Sequence, residues 1–336
     1  MKPQKHANIS IFVPHIGCTH ACSFCNQRSI SGETKAPTAQ TVKETCQNTL
    51  PFLKSRELTA EIAFFGGSFT AIERGYMLSL LEAAHEFIDG HLITGIRLST
   101  RPDCIDEEIL TLLKSYGVTA IELGVQSLDQ QVLDLNRREH SAECASLSSR
   151  MIQDAGFELG LQMMTGLYGD TLEKCRETAE KIIAMRPDTV RIYPTVVIKN
   201  TELAALYQSG KYTPQTLEEA VSLCAGLLLL FEQENIRVIR LGLHASELLE
   251  KDRLAGPFHP AFRELCENKI YFDVALKQLP LYGDYSRENV LLVSPGCRSK
   301  MVGQGKINME KLSGIGYNVK VREDSRVKKY EVRIEE

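Results

Sequence analysis

Short apolar runs alternate with helix-patterned segments for about 240 residues, and that alternation leaves few folds open. The runs at residues 9–14, 61–65, 95–100, 120–125, 158–164 and 189–193 are rich in Ile, Val, Leu and Phe. Between them, residues 41–52, 74–87, 107–116, 141–155 and 172–185 carry helical periodicity. Continuous apolar strands separated by helices predict a parallel sheet covered on both faces, joined by right-handed crossovers. Residues 217–233 supply a sixth covering helix and 236–241 one further strand. Near Ala245 the pattern changes. Residues 246–336 hold a helix-like stretch at 261–268, a strand-like stretch at 289–293 and a polar, basic tail. The expected division is therefore 1–245 and 246–336, the second part a small mixed extension packed on the first.

The loop leaving the first strand holds Cys18, Cys22 and Cys25, a C-x3-C-x2-C spacing. Thiolates are soft ligands that suit iron–sulfur clusters and zinc. Three thiolates on a cubane cluster leave one iron open to bind something else. Two plainer readings compete. Cys22-x-x-Cys25 alone fits a redox pair, and three cysteines with His15 or His20 fit a structural zinc site. The zinc reading lacks the usual second Cys/His pair further along. Seven of the ten cysteines lie outside the triad, scattered, with no C-x2-C spacing. They argue against a disulfide framework and read as small buried hydrophobes.

The composition, 43% hydrophobic and 24% charged over 336 residues, is that of an ordinary globular protein. A net charge of −4 argues against bulk capture of nucleic acid, although basic residues crowd between Arg298 and Arg333. Residues 1–8 lack the apolar core of a signal peptide, and the longest apolar run, 227–231, is too short to span a bilayer. The expected location is the cytoplasm, with no membrane partner.

Polar motifs recur at the ends of the strands. Gly66-Gly67-Ser68-Phe69-Thr70 follows the second, and Ser99-Thr100-Arg101-Pro102-Asp103 the third. Glu122-Leu123-Gly124-Val125-Gln126-Ser127 ends the fourth, the run from Met163 to Thr171 the fifth, and Arg191-Ile192-Tyr193-Pro194 the sixth. Chemistry in βα barrels collects at those ends. Any one such cluster reads equally as a solvated turn or a helix cap.

As a set, with the cysteine triad and Phe24, these motifs resemble the radical S-adenosylmethionine (radical SAM) superfamily. Within it they are similar to the elongator catalytic subunit group, over roughly residues 8–310. The resemblance implies an α/β fold, an incomplete (β/α)6 TIM-type barrel. It implies a 4Fe–4S cluster on Cys18, Cys22 and Cys25, oxygen-sensitive, whose open iron binds SAM. By the same resemblance Gly66, Gly67 and Ser68 hold the SAM amino end, and Ser68 stands where Glu is commoner. Thr100 and Arg101 reach its ribose or carboxylate, and Phe24 packs near the adenine unless it is a plain core aromatic. Gln126 and Ser127 line the radical cavity. Arg191 is a candidate for the SAM carboxylate, with a structural salt bridge as the competing role for Arg191 and Arg101. His244 and His259 are substrate-side groups or structural histidines.

The implied partners are an electron donor such as flavodoxin or ferredoxin and, among substrates, tRNA. A coproporphyrinogen-oxidase-like activity on a small molecule and a non-catalytic metal-binding adaptor are the alternatives. Two features depart from the elongator pattern. The first cysteine gap is shorter, and no run between Ala245 and Glu336 resembles an acetyltransferase domain, so acetyl transfer is not expected.

Overall fold

The computed structural model describes residues 6–13, 18, 22–26, 29–30 and 35–335. His15 and His20 lie outside the described residues, as does residue 14 of the first predicted strand. In chain order the strands are β1 (His6–Val13), β2 (Thr59–Gly66), β3 (Ile93–Thr100), β4 (Val118–Gln126), β5 (Glu158–Thr165), β6 (Thr189–Pro194), β7 (Val197–Ile198), β8 (Arg237–Leu241), β9 (Arg253–Ala255), β10 (Asn289–Val293), β11 (Val319–Glu323) and β12 (Val332–Ile334). The helices are α1 (Ala39–Arg56), α2 (Arg74–His85), α3 (Glu107–Ser115), α4 (Gln130–Leu135), α5 (Ala142–Asp154), α6 (Leu172–Ala184), α7 (Glu202–Gln208), α8 (Leu217–Gln233), α9 (Glu247–Asp252), α10 (Phe262–Tyr282), α11 (Arg298–Val302) and α12 (Ile307–Gly314).

Seven strands form one parallel sheet in the order β1-β2-β3-β4-β5-β6-β8. Because spatial order follows chain order, every crossover winds the same way and the sheet curls into a half-barrel with helices outside. The helices begin where the sequence places caps. Thr38 and Thr216 form capping boxes on α1 and α8, and Asp106, Ser141 and Thr171 accept from the first turns of α3, α5 and α6.

The two faces of the sheet differ more than the apolar runs predict. Ile9, Ile11, Ile62, Phe64, Ile96, Leu98, Leu123, Leu161 and Ile192 are buried under the helices. The inner face carries charge. Arg97 donates Nε to Glu61 and Nη2 to Glu158, both at 2.9 Å, and lies 3.5 Å from Glu122. Arg191 reaches both oxygens of Glu122 at 2.5 and 2.8 Å, and Gln162 donates to the same carboxylate at 2.9 Å. The strands therefore alternate, apolar outward and polar inward, instead of being apolar on both faces. Such charges are tolerable away from water only when paired and hydrogen-bonded.

Two further differences have local causes. α10 runs to Tyr282 rather than stopping near 268, because Phe262, Cys266, Ile270, Tyr271, Ala275 and Leu279 keep one buried face along it. β7 and β9, two- and three-residue strands that pair antiparallel, are too short to show a period. β10 pairs parallel with β11 and antiparallel with β12. This small mixed sheet packs on α10, where Tyr271 Oη accepts from Tyr330 N at 3.0 Å. The apolar core runs without a break from the barrel strands to Leu291 and Val332. Among the described residues no helix is long and apolar enough to cross a membrane.

The inner network sets an acid limit on stability. Burial alone would raise the Glu61 carboxyl, but His6, Arg97 and Thr119 outweigh it and hold it down from 4.5 to about 2. A carboxyl depressed in the folded state stabilises above its unfolded value, so this contribution is present above about pH 4.5 and lost as pH falls toward 2. It is worth roughly 3 kcal/mol. Denaturant titrations at stepped pH should show that limb of acid destabilisation, and Glu61→Gln should remove it while lowering stability near neutral pH.

Candidate active site

The loop leaving β1 is built to be held. Cys25 N donates to Cys22 O at 3.1 Å, closing a turn. Buried Ser23 donates Oγ to Asn136 Oδ1 at 2.7 Å and N to Asn136 O at 3.2 Å, and its carbonyl accepts from Leu203 N at 2.7 Å. Asn136 is fixed in turn by Val132 O and Tyr168 O, each at 2.8 Å. Asn26 donates to Lys199 O at 3.1 Å, and Ser29 to Asp252 at 2.7 Å. Phe24 is buried in a second apolar cluster with Val132, Leu167, Val197, Leu203 and Tyr212. Its ring anchors the loop, which is the core-aromatic role.

Cys18, Cys22 and Cys25 are all half-buried. Among the described residues no three His, Cys, Asp or Glu side chains are drawn together as ligands of one metal ion. The donor chemistry, three thiols on one pinned loop, fits an iron–sulfur cluster.

The turn after β2 closes over the end of β1. Gly66 has φ +117°, and a Cβ there would stand 2.7 Å from Val13 O. Gly67 N donates to Val13 O at 2.8 Å. Ser68 and Thr100 are turned toward each other, with their hydroxyls 2.8 Å apart, and Ser68 Oγ also accepts from Arg101 N at 3.1 Å. Thr70 joins Thr100 at 2.6 Å and donates to Cys104 O. These hydroxyls lock the ends of β2 and β3 together.

The two guanidinia for which the sequence left two roles open are both in ion pairs. Arg101 donates Nε and Nη2 to Asp103 at 2.9 and 2.5 Å, with Glu139 at 3.5 Å. Arg191 is taken by Glu122 and lies over the Phe65 ring, 4.8 Å from its centroid. Both occupy the salt-bridge role. Ser127 faces the helix layer, with its Oγ 3.4 Å from Thr178 of α6 and accepting from Asp129 N at 3.2 Å. His259 Nδ1 accepts from Ala261 N at 3.1 Å.

Gln126 is placed otherwise. A bulge at the end of β4 gives it φ +63°, and its buried Oε1 has no hydrogen-bond partner. Beside it stands Arg138, which sequence reasoning missed. Arg138 is 9% exposed, lies 3.2 Å from Cys22 Sγ through Nη1, and gives Nη2 to Gly124 O. Its buried Nε has no partner. A Cβ on Gly124 would stand 2.9 Å from Gln126 Nε2 and 3.7 Å from Arg138 Nη2, so the two side chains share one corner. His140 follows, its Nε2 3.3 Å from Val125 O. Burial first, then Arg138, holds its pKa down to about 4, so it is neutral at pH 7. The signal available in the sequence was the polar run Arg137-Arg138-Glu139-His140 just after a short apolar helix.

Several of the C-terminal basic residues are paired within the chain. Lys300 pairs with Glu267 at 2.8 Å, Arg322 with Glu335 at 3.0 Å, Arg326 with Asp324 at 2.6 Å and Lys329 with Glu232 at 2.6 Å.

Residues 12–182 match the Radical SAM superfamily, and 187–271 match the Radical_SAM C-terminal domain. The chain belongs to the radical SAM superfamily, a family of enzymes. Its relatives are of the elongator-like kind. A tRNA uridine(34) acetyltransferase of Methanocaldococcus infernus is 35% identical over 135 residues, 39% of this chain and 25% of that protein. Elongator complex protein 3 of Mus musculus is 30% identical over 190 residues, 51% of this chain and 35% of that protein. The chain thus spans a quarter to about a third of these relatives' length. Among solved structures, Methanocaldococcus infernus Elp3 lacking residues 1–46 superimposes with a TM-score of 0.65 at 20% identity, covering 80% of this chain and 63% of that one. Escherichia coli coproporphyrinogen III oxidase (HemN) gives 0.50 at 16%, covering 69% and 53%. At these identities the likeness is one of fold.

Gly66 offers a direct test of the turn. Gly66→Ala forces both an unfavourable φ and a clash with the Val13 carbonyl, and should cost about 1–3 kcal/mol. Urea denaturation of the metal-free protein reads this, and an unchanged midpoint would mean the turn tolerates a side chain.

Proposed function

We propose that Cys18, Cys22 and Cys25 hold a 4Fe–4S cluster, that SAM binds beside them, and that the enzyme acts on tRNA. The observation that carries this reading is the corner beside Cys22, where the Gln126 and Arg138 side chains meet over Gly124 and each holds a buried unpartnered atom, the acceptor Oε1 on one and the donor Nε on the other. Buried polar atoms are nearly always paired, so an orphan of each kind in one place marks a ligand. An amino acid zwitterion, with an ammonium donor and a carboxylate acceptor, satisfies both. Bound there, such a cluster would supply one electron for cleavage of the SAM sulfonium into methionine and a 5'-deoxyadenosyl radical.

The residues of the chain bind, orient and exclude water. Arg138 Nε donates to the carboxylate, while Nη2 stays on the Gly124 carbonyl and keeps the fork aimed. Gln126 accepts from the ammonium, and the bulge in β4 turns it inward. Gly66 and Gly67 bring bare backbone to the same mouth. Ser68 and Thr100 act through it, by fixing the turn. Phe24 and its apolar neighbours keep the back of the loop dry. A flavodoxin- or ferredoxin-like carrier delivers the electron. The tRNA reading is supported by the names of the sequence relatives and by the radical SAM elongator-like motifs. The coproporphyrinogen-oxidase-like reading draws on a weaker form of the same motifs and on a likeness of fold.

Anaerobically reconstituted protein should be brown, with about four irons and matching sulfide per chain. Cys22→Ala should lose both. Stoichiometric zinc in protein never exposed to air would overturn the cluster. Arg138→Met should keep the iron but weaken SAM binding by roughly tenfold or more, the loss of a charge-assisted hydrogen bond. Gln126→Leu should weaken it by less, since a neutral acceptor is removed. Equilibrium dialysis of SAM against the three iron-loaded proteins checks the order, and unchanged binding in Arg138→Met would remove that residue from the site.

A further inference from the structure

β8 sits at the edge of the sheet opposite β1 and its cysteine loop. Arg240 pairs in register with Arg191, so its side chain shares the inner face. The other inner-face guanidinia are answered by carboxylates, Arg97 by three and Arg191 by Glu122. Among the described residues no carboxylate answers Arg240. Its Nε donates to Gly242 O at 2.9 Å, and its Nη2 stands 3.4 Å from His244 Nδ1. It is half-buried. Burial pulls its guanidinium below the usual range, Tyr193 acts the other way, and Arg191 adds repulsion. A partly desolvated cation beside a second cation, with no anion of its own, is a poor arrangement until an anion arrives.

We infer that Arg240, with His244 at its side, holds an oxyanion of the substrate on the wall of the barrel across from the cysteine loop. Guanidinium recognises phosphate and carboxylate through the same fork. If the tRNA reading of the preceding section holds, on which this source rests, the oxyanion is a backbone phosphate flanking the nucleotide brought into the barrel. Arg240 then fixes how far that nucleotide enters, a specificity role distinct from holding SAM.

Two probes separate the sources, bulk tRNA and the tetracarboxylate coproporphyrin III, each titrated against iron-loaded wild type, Arg240→Gln and Arg240→Lys. We expect Arg240→Gln to weaken tRNA binding roughly tenfold and to flatten the log–log salt slope by about one unit. Arg240→Lys, which keeps the charge, should retain the slope. If tRNA binding is indifferent to Arg240 but coproporphyrin binding falls in Arg240→Gln, the oxyanion site stands and the tRNA reading fails. If neither ligand responds to Arg240, or wild type binds neither, the inference is overturned. Iron content and the thermal transition control for folding. Should Arg240→Gln lose its cooperative transition, Arg240→Met, which keeps the apolar stem, is read in its place.

Discussion

Glu122 is the point around which the inside of this barrel is assembled. Its carboxylate, 1% exposed, takes two donors from Arg191 and one from Gln162, and faces Arg97. Arg97 passes the connection on to Glu61 and Glu158. Side chains from β2 through β6 are thereby tied by charge, where many barrels use interdigitated aliphatic layers. Removing one partner from such a set strands the rest, and each stranded charge costs several kcal/mol. The arrangement also sets what is left for the strand ends. Charge pairs occupy the inside of the strands, and the strand ends are left to the cysteine loop, the Gly66 turn and the Gln126 bulge.

The fold was legible because its signals are local. A strand such as β2 announces itself in Ile62, Ala63, Phe64 and Phe65, and a helix such as α3 in Asp106 followed by its periodic leucines. The polar inner face was less legible. Glu61, Arg97, Glu122 and Arg191 each interrupt an apolar run once, and a single interruption looks like noise. Only the register, which lines Gln162 up with Arg191 and Arg191 with Arg240, shows that the interruptions share one wall.

The site divides in the same way. The cysteine spacing and the Gly66-Gly67 turn could be read because sequence neighbours make them. The roles of the arginines could be read only as far as two alternatives, a ligand contact or a salt bridge. Arg101 and Arg191 stand in motifs that suggest ligand binding, yet Asp103 and Glu122 take them. Arg138 stands in no motif singled out from the sequence, yet it touches Cys22, 116 residues away. Which guanidinium is taken by a carboxylate is decided by which carboxylates the fold brings near, and that is a property of tertiary contacts. Ser127 is the converse case. Its neighbour Gln126 turns inward at a bulge, and one residue further on the chain has already turned to α6.

The fastening of the cysteine loop has a consequence for the order of folding. Ser23, Asn26 and Ser29 are held by Asn136, Leu203, Lys199 and Asp252, partners 113 to 223 residues further along the chain. Closing contacts of that span is slow, and none of them exists until most of the barrel has been made. A nascent chain therefore presents its three thiols early on an unfastened segment, and that segment is fastened only late. Whatever those thiols come to hold, the fastening that shapes their surroundings is complete only after the seventh barrel strand and α9 have docked.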